Sequence, residues 1–422
     1  MEAIGKFITY VFDLGPAVTM PIMIIILGLI AQLGFTKSFR AGLMYGIGLT
    51  GLFVIMSFYV GPLGDALNKA AALHGFRTDL VDISWTLGAA LAFSSKLMPI
   101  YYLAVIVIDL LLVGANILKT VYIDIWNYWV GIALGQIILF VTGNFWFAII
   151  AAVVTQFIIL FLADWTAKYN EYFGMPKGVV LCGIDGISFA PFSLAINWLI
   201  DKIPGVRDIE ISVEDLTEKF GFFGEPAVIG GIMGAFIGVY AGYDVKGILN
   251  LVITLAATLF LFPRMIGILM LGLVPLADGL KAVVAKRFKG KEINLGMDIS
   301  LGIAHPSVMT VAVLSMPIWI LLSQILPGNR WLPVAVLVDV PFYVLWAVGP
   351  SKGNIFRSMI CATVIGIMVC YGATYVADIA TKVLVGSNLG VDIPAGSQLT
   401  SVWIGTPGVI PWIAVIKNFF VH

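Results

Sequence analysis

Apolar positions in this chain run for about 20 residues at a time, broken by short turns where Gly, Pro and charged residues gather. One polar tract stands apart, DKIPGVRDIEISVEDLTEKFGFFGE over residues 201–225, and divides the chain into two apolar arms. Runs of that length predict membrane-crossing helices, which satisfy their own backbone polar groups where water is absent. Alternating segments of strand length are not found, which disfavours a β-barrel and leaves an all-α polytopic membrane protein.

The first arm predicts spans over residues 14–33 and 41–60, with Lys37 and Arg40 at the turn between them. The first run is read as a retained helix, not a signal peptide. Gly61-Pro62 is expected to break the second span. Leu63, Ala66, Leu67, Ala70 and Leu73 then recur at helical spacing between Asp65, Asn68 and Lys69, the pattern of a helix lying in the interface. Residues 82–95 are too short and too interrupted by Gly, Ala and Ser to span comfortably, and predict a re-entrant hairpin. Spans over 98–113 and 122–141 follow, and a fifth begins after Gly143-Asn144.

The second arm repeats this order at a separation of roughly 210 to 216 residues, so the chain carries an internal duplication. Gly15-Pro-Ala-Val18 is echoed by Glu225-Pro-Ala-Val228, Pro62-Leu-Gly-Asp65 by Pro275-Leu-Ala-Asp278, and Val81-Asp-Ile-Ser84 by Met297-Asp-Ile-Ser300. Ile123-Asp124-Ile125 pairs with Val338-Asp339-Val340, Gly143-Asn144 with Gly353-Asn354, and Ala163-Asp164 with Ala377-Asp378. The matching elements are an interfacial helix over 275–289, a hairpin over 298–307, and spans over 308–326 and 331–348. An odd number of crossings per copy makes the second copy enter from the opposite side. The expectation is an inverted repeat of two five-helix halves: residues 1–207, a polar linker 208–224, and residues 225–422, with ten or eleven spans in all.

Composition sharpens this picture. The chain has 422 residues, 60% hydrophobic and 11% charged, with mean hydropathy +1.03, against roughly 25% charged in an ordinary soluble domain. The formal net charge is +0, so no global field points to nucleic acid. Placing the 201–225 tract in the cytoplasm also places most of the Lys and Arg there, including Lys37, Arg40, Lys119, Lys202, Arg207, Lys352 and Arg357, with the amino terminus outside. Cys182, Cys361 and Cys370 have no metal-ligand or CxxC spacing and read as small core residues. No metal site, cofactor motif or catalytic constellation of an intramembrane enzyme is found.

Inverted repeats with paired interrupted segments point to a transporter whose substrate sits near the midplane, held by broken helices. His305, in Ala304-His305-Pro306-Ser307, lies where an apolar arm is interrupted; it either binds a hydroxyl or is a hairpin-tip residue satisfied by backbone. Asp124 and Asn127 share a helical stripe with Tyr128, Gly131 and Gly135, either as polar ligands to a substrate or as a packing seam with a capping aspartate. Gln136 lies deeper in that span and well round the helix. Asp185, flanked by glycines in an apolar segment, implies a ligand, counter-ion or proton, because an unpaired buried carboxylate is costly. Asp82 and Asp298 each precede a short helix in an Asp-Ile-Ser context and read as caps. Trp85 and Thr86 offer a stacking face and a hydroxyl to a sugar, or are interfacial residues. Arg264 either lines a polar cavity or snorkels at a helix break.

Asp13-Leu-Gly-Pro-Ala-Val18, Phe220-Gly-Phe-Phe-Gly-Glu-Pro-Ala-Val228 and Gly296-Met-Asp-Ile-Ser-Leu-Gly-Ile-Ala-His-Pro306 resemble the galactitol-type enzyme IIC of the phosphoenolpyruvate-dependent sugar phosphotransferase system, itself similar to the ascorbate type. The resemblance implies a bacterial inner-membrane permease of galactitol or a similar polyol. It implies a homodimer, each subunit with a V-shaped scaffold and a core transport domain that moves like an elevator. Phosphorylation would be done by separate IIB and IIA chains, with enzyme I and HPr upstream, because this chain has no phosphorylation site of its own. The resemblance places Trp85, Thr86, Asp124, Asn127, Asp185, His305 and Thr406 in the substrate region. The competing expectation is an ion-coupled secondary transporter of a small polar solute, with Asp124, Asp185 and Asp339 as proton or sodium sites.

Overall fold

The computed structural model describes residue 14 and residues 16–75, 80–82, 88–89, 91–92, 95–220, 222, 225–287, 292–303, 305–333, 336, 339–387 and 397–420. Among these residues, five helices are long and apolar enough to cross a membrane: Phe35–Ile55, Phe145–Phe173, Val245–Gly279, Pro306–Ile325 and Ile355–Gly386. Shorter apolar helices include Met98–Gly114, Trp129–Thr142 and Ala190–Ile200. The chain is a mostly helical, multi-pass membrane protein.

Two expectations about breaks are corrected. Helix Phe35–His74 continues through Gly61-Pro62, and helix Val245–Arg287 continues through Pro263 and Pro275. A proline removes one hydrogen bond from a helix that makes dozens, and membrane helices tolerate that loss. The expected interfacial helices are therefore continuations of spans. In the stretch expected to span over 331–348, the described α-helix runs over Val340–Val348, with Asp339 at its N-cap position.

Among the described residues five short parallel strands add to the helical plan: β1 Leu80–Asp82, β2 Thr120–Tyr122, β3 Val179–Cys182, β4 Asn294–Asp298 and β5 Gln398–Thr400. At three to five residues they are too short to show a period in the sequence.

Two compact units divide the chain, each assembled from three stretches that come from both arms. The first comprises Met1–Val54, Gly88–Gly183 and Pro263–Leu301. At its centre is the sheet in the order β2-β4-β3, with Tyr122 opposite Gly296 and Cys182 opposite Asp298. Buried or half-exposed polar side chains fasten it to helices. The Tyr122 amide donates to Asp109 Oδ2 at 3.0 Å, the Lys119 amide and Thr120 hydroxyl donate to Asp164 at 2.7 and 2.5 Å, and the Leu181 amide donates to Asn170 Oδ1 at 3.0 Å. Helices Trp129–Thr142 and Phe145–Thr166 form an antiparallel hairpin. Gly143 closes the first helix at φ 66°, a conformation favouring glycine, and Asn144 caps the second by accepting from the Phe147 amide at 3.0 Å. One face of Phe145–Thr166 exposes Trp146, Ile150, Val154, Ile158, Phe161 and Trp165. The two tryptophans stand about 28 Å apart along the axis at a rise of about 1.5 Å per residue, which matches a hydrocarbon core with an aromatic residue at each interface.

The second unit comprises Ile55–Leu87, Ile184–Phe262 and Gly302–His422. Strand β1 pairs with β5, and Leu80 also bridges to Trp331. The Thr400 hydroxyl donates to Ala373 O at 2.6 Å and Thr381 bonds both sides of Leu399, so helix Ile355–Gly386 carries β5. That helix starts as the one after Gly143 does: Gly353 has φ 77° and Asn354 accepts from the Arg357 amide at 3.2 Å. The echo seen in the sequence is thus an echo of local structure. Its first turn also holds the polar tract. Asn354 Nδ2 donates to Ile209 O at 2.8 Å, the Ile355 amide to Ile211 O at 2.6 Å, and Arg357 bonds Asp201 and Arg207 O at 2.7 and 2.8 Å. Helix Val213–Phe220 in this tract opens with a reciprocal capping pair: Asp215 N donates to Ser212 Oγ, and Ser212 N to Asp215 Oδ2. Those bonds hold the Asp215 carboxyl below its usual range.

Candidate functional site

The carboxyl ends of β2, β3 and β4 all lead into the starts of helical elements. After β2 the chain passes through Asp124 into a 3₁₀ turn, Ile125–Tyr128, and then helix Trp129–Thr142; after β4 it enters the short helix Ser300–Ile303. Backbone amides at helix starts have no partner within the helix, so polar side chains gather there. In the first unit they do. Asn127 Nδ2 donates to Asp124 Oδ2 at 2.9 Å and also to Asp298 Oδ2, while Asp298 Oδ1 accepts from the Ser300 amide. One carboxamide is therefore shared by two carboxylates that come from opposite arms of the chain.

The surroundings are apolar and aromatic. Asp124 is 2% exposed, and Tyr45, Tyr101, Tyr102, Tyr122 and Tyr128 are all buried. Rings of Tyr101, Tyr102 and Tyr122 each meet that of Tyr128 with centroids 5.2 to 6.2 Å apart. Gly131, one turn beyond Tyr128, leaves room for the Tyr101 hydroxyl; a Cβ there would stand 2.0 Å from its oxygen. Carboxylates at such a place supply strong acceptors, and helix starts supply donors. That combination suits an uncharged ligand rich in hydroxyl groups.

The expected site residues separate accordingly. Asp124 and Asn127 come together, and Asp298 joins them while also making its expected cap. Its bond to a side chain 171 residues away had no local sequence signal. Gln136 is half-buried and accepts from the Ser95 hydroxyl at 2.7 Å, which ties it to the end of the first hairpin stretch. His305 belongs to the second unit, where it is the N-cap of helix Pro306–Ile325 and its Nδ1 accepts from the Ser307 amide at 3.3 Å. Thr406, also in the second unit, is buried and donates to Trp403 O at 2.9 Å within its own turn. Asp185 lies in the short helix Ile184–Ile187, with its side chain outside what the structure describes. Trp85 and Thr86 lie outside the described residues. Arg264 is exposed on its helix.

A multi-pass membrane protein with buried carboxylates and an amide gathered at strand ends and helix starts belongs to the class of solute permeases. The chain is a member of the family described as the PTS system sugar-specific permease component, EIIC-GAT, whose signature matches residues 10–394. It is 31% identical over 412 residues to the PTS system galactitol-specific EIIC component of Escherichia coli (strain K12), covering 97% of this chain and 90% of that protein. It is also 30% identical over 377 residues to a putative permease IIC component of the same organism, covering 88% of this chain and 85% of the relative. As a member of this family it is a sugar-transport component that works together with other phosphotransferase components.

Proposed function

We propose that this chain carries galactitol or a closely similar polyol inward across a bacterial inner membrane and presents it for phosphorylation by a separate IIB subunit, itself charged by IIA. The observation that carries this reading is the Asn127 amide shared by Asp124 and Asp298. Similarity to the galactitol-specific component over nearly the whole chain supports the choice of substrate. A polyol donates and accepts at every hydroxyl, so acceptors on the carboxylates and donors on helix starts complement it without a charged ligand group.

The two arms form an inverted repeat, with the 201–225 tract cytoplasmic and the amino terminus outside. The repeated Asp-Ile-Ser and Gly-Asn motifs and the Lys and Arg asymmetry support this arrangement. The protein acts as a homodimer, and a core domain moves against a scaffold in an elevator-like stroke. His305, Thr406, Asp185, Trp85, Thr86 and Gln136 belong to the wider substrate region in this proposal.

Galactitol binding to the detergent-purified full chain tests the site. Asp298→Asn and Asn127→Ala are expected to weaken binding at least tenfold while the protein stays monodisperse. Wild-type affinity in both variants would remove the cluster from the substrate site.

A further inference from the structure

Among the described residues, strand β2 lies at an edge of the sheet β2-β4-β3. Lys119 O accepts from the Asn294 amide at 2.7 Å and the Ile123 amide donates to Gly296 O at 3.2 Å, so these two residues face β4. Tyr122, opposite Gly296, turns its own N–H and C=O outward. Backbone groups in an apolar interior need partners, and here side chains from the first unit supply them. Asp109 Oδ2, on helix Met98–Gly114, accepts from the Tyr122 amide at 3.0 Å, and the Tyr128 hydroxyl donates to Tyr122 O at 3.0 Å.

Both bonds act on the segment that carries the site. The Tyr128 bond ties the end of residues 122–128 back to their beginning, and within that loop the Asn127 amide donates to Asp124 O at 3.3 Å. Asp124 and Asn127 therefore leave the sheet from a root that Asp109 holds from outside. The other edge bonds act elsewhere: Asp164 takes the Lys119 amide and Thr120 hydroxyl at the start of β2, and Asn170 takes the Leu181 amide on β3. Asp109 is also costly at its place. It is 2% exposed, and its second oxygen, Oδ1, is buried with no hydrogen-bond partner among the described residues. An aliphatic side chain would avoid that cost but could not accept from Tyr122.

We propose that Asp109 is a positioning residue for the polyol site. With Tyr128 it clamps the two backbone groups of Tyr122 and so sets where Asp124 and Asn127 meet Asp298. The proposal rests on the site reading given above. Binding groups work only when their supports hold them within about 0.5 Å of the productive place, so losing one anchor at the loop's root weakens binding without removing a group that touches the polyol.

The test uses the full-length purified chain, read by galactitol titration and by thermal unfolding without ligand. Asp109→Leu and Tyr128→Phe are each expected to lower galactitol affinity about tenfold. Asp109→Asn keeps an oxygen that accepts from the Tyr122 amide and is expected to bind galactitol as wild type does. Asn170→Leu, which frees the Leu181 amide at the far edge of the sheet, is expected to lower the unfolding temperature and leave affinity unchanged. Where Asp109→Leu yields no folded protein, Tyr128→Phe decides the question, since it removes a single hydroxyl. Wild-type affinity in the folded Asp109→Leu or Tyr128→Phe variant, with Asp298→Asn still impaired, would overturn the positioning role and leave the site intact. Unchanged affinity in every variant, Asp298→Asn included, would overturn the role and the site together. An equal loss in Asn170→Leu would show general loosening of the sheet, and an Asp109→Asn variant as impaired as Asp109→Leu would show a need for the charge; either result overturns the role.

Discussion

Asn127 is the residue on which the first unit's polar centre depends. Its amide is the hydrogen-bond link between Asp124 and Asp298, and without it two carboxylates would face each other across an apolar interior. Asn127→Leu, similar in shape but without donors, is expected to cost about 2–4 kcal/mol of unfolding free energy; chemical denaturation in detergent checks this. His305 tests a different use of a polar residue. Its Nδ1 caps Ser307 only while the imidazole is neutral, since protonation turns that acceptor into a donor. His305→Gln should therefore flatten the acid side of the thermal-stability profile. If His305 only caps, His305→Ala should cost about 1 kcal/mol of stability and leave galactitol affinity alone. If it also binds a hydroxyl, affinity should fall by about 1–3 kcal/mol in the folded variant. Part of this was legible in the chain itself: the Asp-Ile-Ser context gave Asp298 its cap, and the stripe of Asp124, Asn127 and Gly131 gave the near side of the cluster. The contact from Asn127 to Asp298 was not, because pairing between distant segments leaves no local pattern.

Elements in this protein are set as much by exceptions as by hydrophobic runs. Long spans were predictable from apolar length, and the Gly-Asn pairs correctly marked the ends and starts of helices. Pro62 and Pro275 misled, because the cost of one missing bond is small in a helix of 40 or 43 residues. The strands escaped notice because three residues carry no alternation, and their partners lie in other segments. Helix contact is equally specific at Gly131. Gly131→Ala would put a methyl group onto the Tyr101 hydroxyl and should cost about 1–3 kcal/mol. Adding Tyr101→Phe should recover part of that loss, although it also removes the bond to Gln156. Melting temperatures of the two single variants and the double variant would expose the coupling. At the start of helix Ile355–Gly386, Arg357→Ala should free the 201–211 tract and speed its amide exchange. Its effect on global stability should be small, because the pair with Asp201 is largely exposed on the Asp201 side.

At the scale of the whole molecule, two of the paired motifs adopt matching local structure: Gly-Asn starts a helix after residues 143 and 353, and short strands end at Asp82 and Asp298. Placing the 201–225 tract in the cytoplasm predicts that cysteines introduced at Ser212 and Thr36 resist an impermeant thiol reagent added outside intact cells. Labelling of either would reverse the orientation. The central claim is that polyol entry is coupled to phosphoryl transfer by partner proteins and not to an ion gradient. Its most direct test is galactitol uptake into vesicles containing this chain, with phosphoenolpyruvate and the soluble partner components supplied or withheld. The account predicts accumulation of galactitol phosphate only when both are present. Accumulation of unmodified galactitol driven by a proton or sodium gradient alone would contradict it.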